Sequence, residues 1–459
     1  MRRFVLVASL IGLIAGGPAA AREDGDALEA LERRLEEQQR ELDLLREELR
    51  RARQEQRPAP VAEPERATAT PAATDPTPPA PASGPSGGGG AGAGGGGALV
   101  RAGFGEGVTF VSADDRLRLN LRARFQARFT HLERDEAGSA STFEIRRARL
   151  ALRGHALTPD LSFYLQFGFS NQDTEPDLRL PLRDAYLTYS ALRDLNVRVG
   201  QQKVPFNPQR VTSSANLQLV DRSIVQNELN LDRDVGVQVF SQDLFGLGGV
   251  LGYALGVFGG DGRNRLSDAG GLLFVARVQL TPFGRFDDLV EADLARSPDP
   301  RLAIGAAVAH NSNTIRERST FGGTYASRQR VDQLHLGTDL HFKWRGFSLR
   351  SEALLREADD DVLVGTVGGA TVTDRTRSAW GYFAQAGYLV TDEVEVVARW
   401  GELRPLGRSA VQLQRETGGG VNWYVHGHDL KLQADYFYLW SARLADGDHQ
   451  ARVQLQLFF

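Results

Sequence analysis

Cysteine is absent from the 459 residues, which excludes a disulfide framework, thiolate-held zinc or iron–sulfur centres and a cysteine nucleophile. An excess of one charge sign is lacking as well: the formal net charge is -4, which argues against non-specific binding to nucleic acid. Beyond the N-terminus there is no long apolar run, and the mean hydropathy is below zero. A bundle of membrane helices is therefore excluded. A membrane β-barrel is not, because its spanning strands are only half apolar.

What is present begins with an export pattern. Met1-Arg2-Arg3 is a positive start, Phe4 to Ile14 an apolar stretch, and Ala19-Ala20-Ala21 an A-x-A cleavage site. Residues 1–21 thus read as a signal peptide and Arg22 as the mature start. Residues 22–57 read as a periplasmic α-helical coiled coil, since Leu28, Leu31, Leu35, Gln38, Leu42, Leu45, Leu49 and Ala52 keep the 3,4 spacing of a heptad seam. From 58 to 100 the chain is rich in Pro, Ala and Thr and then in Gly, which predicts a disordered linker. A Gly-rich phosphate loop is rejected there, because no Lys-Ser/Thr follows and no strand precedes it.

From Arg101 onward apolar residues recur at alternate positions in segments of roughly ten, the period of a membrane barrel. Leu117, Leu119, Leu121, Ala123, Phe125, Ala127 and Phe129 form one such series, and Leu430, Leu432, Ala434, Tyr436, Tyr438 and Trp440 another. About sixteen segments occur, joined alternately by short and long connections. The expected fold over 101–459 is all-β: a transmembrane antiparallel β-barrel of about sixteen strands. A soluble sandwich could alternate similarly, but short turns on one rim and long loops on the other are an outer-membrane trait. One connection, Thr281–Pro300, is long where the pattern wants a turn. The last residues alternate and end on Phe459, which resembles the terminal strand read by the barrel assembly machinery.

Opposite the first apolar series stand Arg116, Arg118, Asn120, Arg122, Arg124, Gln126 and Arg128. If the apolar face meets lipid, these line the lumen, because an Arg at mid-membrane costs about 2–4 kcal/mol. Arg147, Arg149 and Arg153 of the next segment fall on the same side, with Arg146 beside them. A guanidinium offers a planar donor fork to carboxylate and phosphate oxygens, so stacked arginines form an anion track. The bland alternative is that they pair with lumenal carboxylates and brace the wall. From residue 101 on there are 42 basic and 43 acidic side chains, so anion preference must come from placement.

The connection Lys203–Arg233 is long enough to fold into the channel. It carries Lys203, Arg210, Thr212, Ser213, Ser214 and Asn216, all able to donate to an oxyanion. A serine nucleophile is improbable: no G-x-S-x-G surrounds these serines. No catalytic residues, cofactor or metal site are assigned; the pair His426, His428 lacks a spaced acidic set.

The runs Phe143–Leu150, Leu161–Gly168, Arg183–Tyr189, Val197–Phe206 and Asp234–Val237 together resemble the phosphate-selective porin O/P family over roughly Arg101–Phe459. That resemblance implies a sixteen-stranded trimeric outer-membrane porin whose third loop enters the channel. It implies a constriction pair at Arg146 and Arg147, a first-strand arginine at Arg124, a third-loop basic residue at Arg210 (a lysine in the family) and two serines at Ser213 and Ser214. An aspartate of the family falls on Arg183, a departure. The lysine-rich vestibule of the family is missing, since only Lys203, Lys343 and Lys431 occur. The function expected is passive diffusion of small anions such as phosphate. A general porin that also tethers the outer membrane to peptidoglycan or a periplasmic partner through its coiled coil is the alternative; an outer-membrane lipase or protease is the least supported.

Overall fold

A computed structural model describes residues 99–134, 138–175, 180–266 and 270–459. The signal peptide, the coiled coil and the linker up to residue 98 lie outside the described residues.

Sixteen strands form one antiparallel sheet: β1 (Leu117–Arg134), β2 (Gly138–Ala156), β3 (Thr158–Gly168), β4 (Leu182–Leu192), β5 (Leu195–Lys203), β6 (Arg233–Ser241), β7 (Leu251–Phe258), β8 (Leu273–Leu280), β9 (Arg301–Thr314), β10 (Val331–Trp344), β11 (Phe347–Ala358), β12 (Ala379–Leu389), β13 (Val394–Pro405), β14 (Gln414–His428), β15 (Leu430–Trp440) and β16 (Asp448–Phe458). Each pairs with its chain neighbour, and β16 pairs with β1 from His449↔Glu133 to Phe458↔Arg124. The sheet is closed. Phe459 continues the seam, its N–H donating to the Ala123 carbonyl at 2.9 Å. Closure leaves no free edge, the condition for strands in a medium that cannot hydrogen-bond.

The period-two pattern sorts the faces as expected. On β16, Val453 and Leu455 are 43% and 46% exposed outward, whereas Gln454 and Gln456 are 1% and 0% exposed inside. Tyr189, Trp344, Tyr388 and Trp423 stand exposed near the turn rim, as an interfacial aromatic girdle requires.

A hairpin (Leu99–Gly103 and Gly107–Val111) precedes the barrel and pairs with β1 between Val108↔Leu121 and Val111↔Arg118. It adds to the β1 edge below the end of β16, where β1 would otherwise be unpaired. Asn120 fastens it, donating to the Glu106 carbonyl and Thr109 Oγ1 at 2.8 and 2.9 Å.

Two connections turn into the barrel. The segment 204–232 between β5 and β6 bonds to inward residues all round the wall. Lys431 Nζ donates to the Leu217 carbonyl, Gln218 Nε2 to Ser348 Oγ, and the Val220 N–H to Asp435. Its Phe206, Val225, Leu229 and Leu231 pack with inward Ala307, Ala309, Leu354 and Phe383 into the main apolar cluster. The wall makes room: a Cβ at Gly337 would come within 3.2 Å of the Phe206 ring. From the opposite rim, the long connection Thr281–Pro300 also enters, burying Glu291, Ala292 and Asp293 to about 1–2% exposure. The Glu291 N–H donates to the Asn216 carbonyl at 3.1 Å, so the two segments meet.

Substituting outward Val453 by Arg should lower stability in lipid vesicles by about 2–4 kcal/mol, read from denaturant unfolding. A loss below about 1 kcal/mol would place that face outside hydrocarbon.

A candidate anion path through the barrel

Strict alternation would send one of Arg146 and Arg147 to lipid. The structure avoids this with a β-bulge: Gln126 pairs with Arg147 and Ala127 with Ile145, leaving Arg146 as the extra residue. An extra residue re-aims a side chain, and both guanidiniums reach the lumen. Arg147 donates to Gln126 Oε1 at 2.9 Å, and Asp221 of the inner loop gathers Arg128, Arg146 and Arg147 at 3.0, 3.1 and 3.5 Å.

The inner loop is organised by two short helices. Pro208 opens α1 (Pro208–Val211), where its missing N–H costs nothing, and Ser223 caps α2 (Ile224–Leu229) by accepting from the Gln226 N–H at 3.0 Å. The free carbonyls ending α1 attract cations. Lys203 Nζ donates to the Val211 and Thr212 carbonyls at 2.6 and 3.3 Å, and Arg222 Nη2 to the Thr212 carbonyl at 2.8 Å. Among the described residues no carboxylate pairs with Lys203 or Arg222.

The serines stand against the wall. Arg124 donates to Ser213 and Ser214 hydroxyls at 3.3 and 3.0 Å, and Arg149 to Ser214 at 3.3 Å. The other sequence-picked arginines divide. Arg210 is held by Asp232 at 2.8 Å. Arg149 and Arg183 share Asp173, at 2.9 and 3.3 Å; Arg183 occupies the position where an aspartate was implied, and Asp173 supplies the carboxylate there. Arg122 reaches Asp429 at 3.0 Å and stacks on Phe458, and Arg153 donates to Asn120 at 3.1 Å. Arg118 is exposed at the rim. Arg116 corrects the sequence reading: it precedes β1 in a turn, 74% exposed beside Asp114, and is not part of the wall. His426 and His428 pack on Phe104 and Tyr424.

These groups surround a cavity of about 1020 Å³ that reaches toward the long-loop rim, lined by Arg146, Arg147, Arg149, Arg183, Arg210, Ser213 and Ser214 among others. Eleven basic and four acidic side chains line it among the described residues. Sequence reasoning named Lys203 only as a possible donor in the loop and missed Arg198, Arg222 and Arg233. Arg222 lies in the inner loop, where no alternation operates, and Arg233 at the very start of β6; Arg198, between Val197 and outward Val199 on β5, could have been found by the alternation.

Burial alone would raise the Asp221 carboxyl, but Arg146, Arg147 and Arg128 hold it well below the usual carboxylate range. The same arrangement, through Arg149 and Arg183, depresses Asp173.

A closed sixteen-stranded barrel with a water-accessible, polar interior and aromatic rims defines an outer-membrane porin. The family model for phosphate-selective porin O and P matches residues 119–459, and the chain belongs to that family. Solved structures with the same fold include the anion-selective porin from Comamonas acidovorans, 13% identical, with 74% of this chain and 99% of that chain covered at a TM-score of 0.50. Another is OmpF of Salmonella typhi in complex with daunomycin, 14% identical, with 75% and 99% covered at a TM-score of 0.50. No curated protein matches the chain.

Depressed carboxyls contribute tethering that is present above their unfolded pKa and lost only as pH falls through the folded value. The Asp221 and Asp173 bridges should therefore persist from about pH 8 down to about pH 5, so that their loss makes no contribution to any change of ion selectivity over that range. Asp221→Asn should raise chloride-over-potassium selectivity in planar bilayers, since three arginines then lose their shared counter-charge; a decrease would contradict the pairing.

Proposed function

We propose that this porin passes small anions, phosphate or similar oxyanions among them, by passive diffusion, with the inner loop and the facing arginine wall as the constriction. The observation that carries the reading is the cavity lining of eleven cations against four carboxylates in a chain whose barrel is close to neutral. A low-dielectric enclosure focuses such a field and raises the local anion concentration. The relative from Comamonas acidovorans is itself an anion-selective porin.

The steps follow from the donors. An anion is drawn toward Arg146, Arg147 and Arg210, whose charge Asp221 and Asp232 partly offset. It exchanges hydration for the donors of Arg124, Arg149, Ser213, Ser214, Lys203 and Arg222. Partial compensation keeps binding weak enough for release, which conduction demands. The wall needs no catalytic chemistry for this, and the reading is of a channel, not an enzyme. Homotrimeric assembly, insertion through the Phe459 signal and tethering through residues 22–57 are carried as parts of the same proposal.

The double replacement Arg146→Ala and Arg147→Ala should lower chloride-over-potassium selectivity in planar bilayers, and unchanged reversal potentials would refute the assignment. Lys203→Ala with Arg222→Ala should lower it as well, because among the described residues no carboxylate pairs with either side chain. Deleting residues 22–97 should leave conductance intact while abolishing any retention by peptidoglycan; lost conductance would assign the segment to the channel.

A further inference from the structure

Resting on the anion-channel reading, we infer that the preferred permeants are anions joining an oxyanion to an apolar, ring-like body, such as aromatic carboxylates, and not bare inorganic phosphate. A second cavity of about 580 Å³ lies toward the turn rim, and its character differs from the first. Phe240, Tyr253, Ala254, Phe286 and Pro208 contribute to its wall, and its charged residues balance: Arg277 and Arg285 against Asp287 and Asp288. Arg277 is moreover occupied by Asp339 at 2.6 Å.

Four residues line both cavities: Pro205, Val211, Leu289 and Gln238. Three of the four are apolar. Val211 and Pro205 come from the inner loop, and Leu289 from the connection that enters from the opposite rim, so the neck is built from both sides. A bare oxyanion crossing it sheds water and meets few replacement donors, the costly case for a charged group.

Beside the neck stands Arg198. Its guanidinium lies 4.5 Å from the Tyr186 ring and 5.0 Å from the Phe240 ring, with Nε donating to Thr188 Oγ1 at 3.0 Å. No carboxylate pairs with it among the described residues. Tyr186 faces the outer cavity and Phe240 the inner one. A cation held between rings at the junction suits a ligand whose carboxylate takes the guanidinium while its ring lies on Leu289, Val211 and Phe240. Such an anion keeps favourable contacts through the neck that phosphate cannot make.

The test uses the full-length protein in planar bilayers under gradients of potassium benzoate, potassium phosphate and potassium chloride. Benzoate permeability relative to potassium should exceed that of phosphate. Leu289→Gln combined with Val211→Thr should reduce the benzoate-to-phosphate ratio by about two- to tenfold, the loss of roughly one ring contact. Should that variant fail to insert, Phe240→Leu should reduce the same ratio. Phosphate passing as well as benzoate in the unaltered protein overturns this inference while leaving the anion reading intact. Potassium preferred over chloride overturns the anion reading itself. A ratio unmoved by either variant also overturns the inference.

Discussion

A guanidinium on a membrane strand must face away from lipid, toward water or toward groups that satisfy its charge and its N–H donors, and the interior of this barrel is arranged around that constraint. The inward series on β1 and β2 is forced by the lipid outside. Once inside, the arginines differ by partner. Arg128, Arg146 and Arg147 converge on Asp221, and Arg149 and Arg183 on Asp173. These buried bridges pin loop segments to the wall, and removing one carboxylate would strand several charges at once. Lys203, Arg198 and Arg222 are instead held by carbonyls or rings, which orient them without cancelling their charge.

The same economy of space decides where the open path runs. The inner loop leans against β9–β13, where the wall offers Ala307, Ala309 and Gly337, and seals that side with an apolar cluster. The two cavities lie on the other side, toward β2–β8. The segment from the turn rim completes the division. Glu291, almost fully buried, accepts from the Gln218 N–H at 2.9 Å and from Gln385 at 3.1 Å. Arg350 ties both segments, donating to Thr212 Oγ1 and to the Asp288 carbonyl at 2.9 and 2.5 Å. A channel narrowed from both rims has a neck whose chemistry neither loop sets alone.

Much of this fold was legible because lipid imposes a two-residue period that needs no tertiary knowledge. The outward series beginning at Leu117 and Leu430 and the alternation of the terminal strand follow from it, whereas the inner loop is picked out by the length of its connection. Arg146, Arg147, Ser213 and Ser214 do meet around one cavity, with Arg124 bonded to the two serines, but the carboxylate partners were invisible: Asp221 and Asp173 sit in connections, where no period reports direction. Arg146 faces inward only through a bulge, and Arg116 failed because the alternation was extended one residue past the strand. The hairpin at 99–111 was not anticipated: the linker reading runs to residue 100 and the first alternating series starts only at Leu117. The over-long connection 281–300 looked like a defect of the pattern, yet its length is what lets it reach Asn216.

Near-neutral composition and a cationic path are compatible because the carboxylates are spent as fasteners. Asp221, Asp173 and Asp232 each answer two or more arginines, so every acid placed there immobilises more positive charge than it cancels. The surplus is displayed where the chain needs no packing, along the open side. Field strength in such a pore is therefore a property of pairing geometry, and two barrels of equal net charge can differ in selectivity through the position of one aspartate. Past the cationic chamber the lining becomes balanced and more apolar, so under the proposed reading attraction and passage fall to different residues: the guanidiniums to select the charge that enters, and Leu289, Val211 and Phe240 to bear on which body fits through.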